Sequence, residues 1–150
     1  MDTSPARLLV VIPVYNHGRT LRAVVQRALE IHDEVLVVDD GSTDGGGDTL
    51  DGLPARLLRH ETNRGKGQAI LTAAREAHRL GMTHVATIDA DNQHDPAELE
   101  NFLPLLRAQP EAIVVGTRRF GADAPGSSRF GRSFSNFWLR VQIGVRLGDT

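Results

Sequence analysis

Leu8-Leu9-Val10-Val11-Ile12-Pro13-Val14 is an unbroken apolar run rich in valine and isoleucine. With no polar residue at alternate positions, it predicts a strand buried on both faces, as in a parallel sheet. Pro13 predicts that the ladder stops there. Tyr15–Gly18 reads as a loop, and Thr20–Ile31 carries Leu21, Val24, Val25, Ala28 and Leu29 at helical spacing. The alternation then repeats. Glu34–Asp39 is a second buried strand, followed by the turn-rich Asp39-Asp40-Gly41-Ser42-Thr43-Asp44 and Gly45–Gly47. Thr49–Leu53 reads as a short helical turn and Ala55–His60 as a weaker strand. Asn63-Arg64-Gly65-Lys66-Gly67 opens a helix over Gln68–Leu80, with Ile70, Ala73, Ala74 and Ala77 on one face and Gly81 as its stop. His84–Ile88 is a strand. Asp95-Pro96 starts a helix that buries Leu99, Phe102, Leu103 and Leu106 and that Pro104 kinks or shortens. Ala112–Gly116 is a further strand. Strands alternating with helices define a layered α/β domain with a mostly parallel sheet.

In such sheets ligands collect beyond the carboxyl ends of the strands. Three polar clusters fall there: Tyr15-Asn16-His17, Asp39-Asp40-Gly41-Ser42 and Asp89-Ala90-Asp91. Common phosphate motifs fail. Gly45–Gly47 lacks dinucleotide-loop spacing, Ile70 occupies the third glycine position after Gly65-Lys66-Gly67, and Gly67 follows Lys66 where a Walker loop needs Ser or Thr. These glycines serve either turns of positive φ or close approach of backbone to a ligand. Asp89 and Asp91 suit a hard divalent cation carrying phosphates, since Mg²⁺ accepts one or two carboxylates and keeps positions for substrate oxygens. The plainer alternative has one Asp capping a turn and the other solvated. His94 is either a further ligand or a hydrogen-bonding partner. Asp39 and Asp40 either begin an Asx turn or accept hydrogen bonds from a ribose or base.

Composition narrows the partners. The 150 residues carry 17 Lys and Arg against 19 Asp and Glu, a net charge of -2, which argues against a nucleic-acid binder. With 40% hydrophobic and 24% charged residues the chain is an ordinary globular domain. Zero Cys excludes a disulfide scaffold, a thiolate-ligated zinc and a Cys nucleophile. No apolar run is long enough to span a bilayer, and Met1–Pro5 is too short and polar for a signal peptide. Five of the seven aromatics fall after residue 119, where Phe130, Phe134, Phe137, Val141 and Val145 recur at helical spacing among Arg129, Arg132, Arg140 and Arg146. That pattern is a core-packing helix with a basic face or a helix meeting a membrane surface.

Four ordered motifs, Val11-Ile12-Pro13-Val14-Tyr15-Asn16, Val37-Val38-Asp39-Asp40-Gly41-Ser42-Thr43-Asp44, Asn63-Arg64-Gly65-Lys66-Gly67 and Asp89-Ala90-Asp91-Asn92-Gln93-His94, together resemble family 2 glycosyltransferases of the GT-A fold. Within that family they are most similar to the dolichyl- or polyprenyl-phosphate sugar (mannose) synthases. The resemblance implies a Rossmann-like nucleotide-diphospho-sugar transferase domain over 8–150 after a tail of residues 1–7. It implies that Pro13, Tyr15 and Asp40 line the base and ribose of the donor, with Asp89 and Ala90 on the ribose side. Asp91 and Gln93 would hold Mg²⁺ or Mn²⁺ against the diphosphate, with Asp91 and Asp89 as the catalytic acids. Gly116-Thr117-Arg118 resembles the strand leading to the acceptor region, so Arg118, Arg129 and Ser133 would meet an acceptor phosphate, and Asn136 also matches. His17 stands where the family commonly has Glu, and Phe134 where a basic residue is common. Asp149-Thr150 resembles the opening of a family segment whose Gly and Arg do not follow, so the acceptor part is expected to be incomplete.

The expected reaction is transfer of a sugar, with inversion, from a nucleotide diphosphate sugar to a polyprenyl phosphate at a membrane surface, by a cytoplasmic protein peripheral to the membrane. A phosphate acceptor needs no general base; a hydroxyl acceptor would, and Asp149 is the late candidate. Two alternatives remain: a glycan or other hydroxyl acceptor, and a nucleotide-sugar-binding module without catalysis.

Overall fold

The computed structural model describes residues 6–93 and 95–108. Four strands, β1 (Leu8–Val14), β2 (Val35–Asp39), β3 (Arg56–Arg59) and β4 (His84–Thr87), form one sheet in the order β3-β2-β1-β4, every pair parallel. Helices α1 (Gly18–Ile31) and α2 (Lys66–Arg79) cross between strands, and α3 (Leu99–Ala108) follows β4. Short 3-10 turns occupy Gly46–Leu50 and Pro96–Glu98. The chain therefore starts at β1, builds outward to β3, and returns to the other side of β1 with β4. Such a reversal of strand order leaves a crevice at the carboxyl edge.

All seven residues of β1 and all five of β2 are buried, as the apolar runs require. Their side chains alternate between two cores. Leu8, Val10, Ile12, Val14, Val35 and Val37 pack with Leu21, Val24, Val25 and Ala28 of α1. Leu9, Val11, Leu36 and Val38 face Ala69, Ala73 and Ala77 of α2. The buried α2 stripe is thus Ala69–Ala73–Ala77, whereas the expected Ala74 is exposed and Ile70 only half-buried. Alanine at every fourth position lets the helix lie close to the sheet.

Pro13 does not end β1. The strand runs on, with Pro13 opposite Val38 and Val14 opposite Asp39, and Asp40 N–H donates to the Val14 carbonyl (2.8 Å). The proline acts on the other side. The Ile88 N–H donates to the Val11 carbonyl (2.9 Å), so the next rung toward β4 would need an N–H from residue 13. Proline has none, and the β1–β4 ladder stops there.

Helix ends follow local chemistry with two adjustments. Gly81 at φ +68° closes α2: its N–H donates to His78 and that of Met82 to Ala77, a Schellman arrangement. Asp95 caps the turn before α3 by accepting from Ala97 N–H, with Pro96 at the first position. Pro104 lies inside α3, yet the helix runs four residues further to Ala108, so the expected shortening does not occur. Leu99 is buried, and Leu103 and Leu106 pack on the α1-side core, which offsets the one backbone bond that proline removes; Phe102 is half-buried. The predicted strand at Ala112–Gly116 and the aromatic-basic tail lie outside the described residues.

Candidate functional site

The carboxyl ends of β1, β2 and β4 surround a cleft of about 360 Å³. From β1 come Pro13, Val14 and Tyr15, from β2 Asp40, and from the segment after β4 Asp89, Ala90 and Asp91. Of the predicted donor-site residues, Pro13, Tyr15, Asp40, Asp89, Ala90 and Asp91 all line this one cleft. Gln93 is not part of its wall; its backbone N–H donates to Asp91 Oδ1 (2.9 Å). Arg118, Arg129 and Ser133 lie outside the described residues, as do His94, Asn136 and Asp149.

The loop after β1 is held by the loop after β2. Asn16, at φ +54°, accepts the Thr43 N–H on its side-chain oxygen (2.9 Å) and donates its own N–H to the Ser42 hydroxyl (3.0 Å). Asp44 accepts from Gly18 N–H (2.8 Å) and Gly46 N–H (2.9 Å). It thereby caps α1, whose own capping residue, His17, provides no side-chain bond. Those two N–H groups hold the Asp44 carboxyl below the usual carboxylate range. Gly18 and Gly46 touch backbone to backbone: a Cβ built on either would come within 2.7 or 2.6 Å of the other's Cα.

Asp39 and Asp40 divide their work. Asp39 accepts the Ser42 N–H (2.9 Å) and forms the expected Asx turn. Asp40 is buried and lines the cleft. His60 Nδ1–H donates to its Oδ1 (2.6 Å), Arg64 N–H to the same oxygen (3.0 Å) and Gly65 N–H to Oδ2 (2.8 Å). Burial alone would raise the Asp40 pKa, but these three donors prevail and hold it below the ordinary value. A carboxylate has about four acceptor positions, so Asp40 retains one on Oδ2 for a further donor. The sequence pattern did not single out His60, whose ring links Asp40 to α2: its Nε2 is 2.9 Å from the Thr72 hydroxyl.

His17, Asn63, Gly65, Lys66 and Ala69 complete the wall. Lys66 is the first residue of α2, and its Nζ lies 2.5 Å from Asp89 Oδ1. The Asn63-Arg64-Gly65-Lys66-Gly67 stretch signalled a loop near a ligand, but nothing in it named Asp89 as the partner. Across the cleft, the Thr20 hydroxyl donates to the Ala90 carbonyl (2.6 Å), tying the β4 segment to α1. Arg27 adds a second tie through Asn92 (3.3 Å) and Asp95 (2.9 Å).

Among the described residues no cluster of three or more His, Asp or Glu side chains could hold a metal by itself. The cleft does supply Asp89 and Asp91, hard oxygen donors in a number that suits Mg²⁺ or Mn²⁺ when substrate phosphates and water complete the shell. Asp91 accepts the Gln93 N–H on Oδ1, the turn-capping role that the plainer alternative gives to one of the two acids.

The sequence pattern of Glycosyl transferase family 2 matches residues 9–147. Undecaprenyl-phosphate mannosyltransferase of Micrococcus luteus is 30% identical over 95% of this chain and 63% of its own length. Polyprenol monophosphomannose synthase of Mycolicibacterium smegmatis is 37% identical over 75% of this chain and 45% of its own. The chain thus spans roughly half to two thirds of these relatives. The crystal structure of S. aureus TarS 1-349 superposes with a TM-score of 0.60 at 22% identity, covering 80% of this chain and 37% of that one. That likeness concerns the fold, a parallel α/β layer of the GT-A kind.

Proposed function

The chain belongs to Glycosyl transferase family 2, and from that premise we propose that it moves a sugar from a nucleotide diphosphate sugar to a polyprenyl phosphate. The observation that carries this reading is the convergence of Tyr15, Asp40, Asp89 and Asp91 from three strand ends on one cleft. The relatives named above, whose printed names specify undecaprenyl phosphate and polyprenol, supply the acceptor class.

In this reading Pro13 and Tyr15 flank the base, and the remaining acceptor position of Asp40 takes one of its N–H groups. Asp89 faces the ribose side. Asp91 and Asp89, with Gln93 beside Asp91, would hold Mg²⁺ or Mn²⁺. When bound, such an ion offsets the charge that gathers on the departing diphosphate. The chain's own contribution is to fix the donor so that the anomeric carbon faces the acceptor, with the loops after β1 and β2 locked together by Asn16, Ser42 and Asp44. A phosphate acceptor is anionic near neutral pH and attacks without a general base, giving inversion. Arg118, Arg129 and Ser133 would fix that phosphate by charge-assisted hydrogen bonds. A lipid-borne acceptor brings the protein to the cytoplasmic face of a membrane as a peripheral protein; no helix among the described residues is long and apolar enough to cross one.

A thermal-shift panel of nucleoside diphosphates with and without Mn²⁺ tests the donor site. A ligand at 100 times its Kd stabilises by about 2.7 kcal/mol. One nucleotide should raise the melting temperature, and more so with Mn²⁺. Stabilisation by none of them, in either condition, would dismiss the donor site. Transfer assays comparing polyprenyl phosphate with sugar acceptors then test the acceptor.

A further inference from the structure

Lys66 occupies a position that is electrostatically wrong for a cation. It is the first residue of α2, where the helix dipole favours negative charge, and the first turn holds no acidic residue. Its compensation comes from outside the helix: Nζ sits 2.5 Å from Asp89 Oδ1. The pair is half open to solvent, with side chains 59% and 33% exposed, so it contributes little to stability. It is also placed in the cleft, where Lys66 is the only Lys or Arg among the described lining residues and Asp40, Asp89 and Asp91 supply three carboxylates.

A weak, solvent-reachable ion pair in a ligand cleft can be exchanged at low cost. A divalent cation arriving at Asp89 and Asp91 competes directly with the ammonium for Asp89. A diphosphate arriving in the same cleft is repelled by the carboxylates and attracted by the ammonium. Building on the donor-site reading above, we propose that Lys66 is an exchangeable counter-ion: it rests on Asp89, yields that carboxylate to the divalent cation, and passes to the phosphate oxygens of the nucleoside diphosphate. Its four-carbon stem and freely rotating ammonium suit such a transfer. The glycines on either side, Gly65 at φ +90° and Gly67, have nothing within 4 Å of a built Cβ, so the backbone beside the side chain is uncrowded.

The exchange predicts two shifts of opposite sign. In the full chain, Lys66→Met and Lys66→Gln should bind Mn²⁺ alone more tightly, roughly fivefold by electron paramagnetic resonance, the size expected of one partly screened charge. The same variants should bind UDP or GDP, whichever the wild type prefers, about fivefold more weakly by calorimetry at saturating Mn²⁺. Lys66→Arg should follow the wild type in both titrations. A structural lesion would weaken both ligands together, so shifts of the same sign, a shift in only one titration, or none would overturn the exchange. If the wild type binds the ligands and the neutral variants match it, the counter-ion role fails while the donor site stands. If the wild type binds neither Mn²⁺ nor a nucleotide, the donor-site reading fails and the exchange with it.

Discussion

His60 Nδ1 and Asp40 Oδ1 lie 2.6 Å apart in a buried contact that joins the end of β3 to the end of β2. Asp40 in turn accepts from Arg64 and Gly65, so one histidine ring stands behind the loop that forms a wall of the cleft. His60→Ala removes the ring's bond to a buried carboxylate and should cost about 1–3 kcal/mol in urea unfolding. If nucleotide binding falls as well, the loop is positioned through Asp40; unchanged stability would show that the contact carries no weight.

Asp44 caps a helix from a distant loop. Asp44→Ala should lower stability by about 1 kcal/mol, the usual loss for a capping side chain. Asp44→Asn keeps one acceptor oxygen and should recover part of it. Urea midpoints of the three proteins check the order.

Acid should act through the same residue. The folded pKa values of Asp40 and Asp44 are both below the ordinary 3.8. Each therefore contributes stability that is fully present above that value and is lost as pH falls through the folded pKa. Unfolding free energy should decline below about pH 4, and Asp44→Asn should flatten the decline. An equal slope in wild type and variant would remove Asp44 from the account.

Two neighbouring glycines should answer alanine differently. A Cβ at Gly46 would lie 2.6 Å from the Gly18 Cα, and backbone cannot retreat as a side chain can. Gly46→Ala should cost about 1–3 kcal/mol by overpacking, in the manner of other crowded sites. Gly45, at φ +72°, has open space around it, so Gly45→Ala should lose only about 1–2 kcal/mol of left-handed strain. Only Gly46→Ala should also loosen the start of α1, visible as faster amide exchange at Gly18–Leu21.

Asp91→Asn separates turn from metal. An amide oxygen can still accept the Gln93 N–H, so stability should change by less than about 0.5 kcal/mol. The extra melting-temperature gain that Mn²⁺ lends to a bound nucleotide should disappear. Retention of that gain would take Asp91 out of the ion's shell.

The strand order of residues was legible because buried parallel strands are written as unbroken apolar runs, and β1 matches its expected span at both ends. Helix starts were less so. The periodicity placed α1 from Thr20, but Asp44 supplies its cap from 26 residues away and lets it begin at Gly18. Six of the residues expected at a donor site line the same cleft because a strand's carboxyl end can be read locally. His60 with Asp40 and Lys66 with Asp89, 20 and 23 residues apart, depend on how β3 and α2 settle against β2 and β4. No local pattern encodes such pairings. Pro13 was visible as a ladder-breaker, but which neighbour it rejects became evident only once β1 had strands on both sides.

That rejection has a wider reach. A pyrrolidine ring in the middle of the sheet acts as a permanent wedge: β1 and β4 cannot zip together past Val11, whatever the surrounding loops do. The notch beneath the acids is written into covalent structure rather than into loop conformation. No rearrangement of the loops above it can supply the N–H that residue 13 lacks, so the separation of the two strand ends persists.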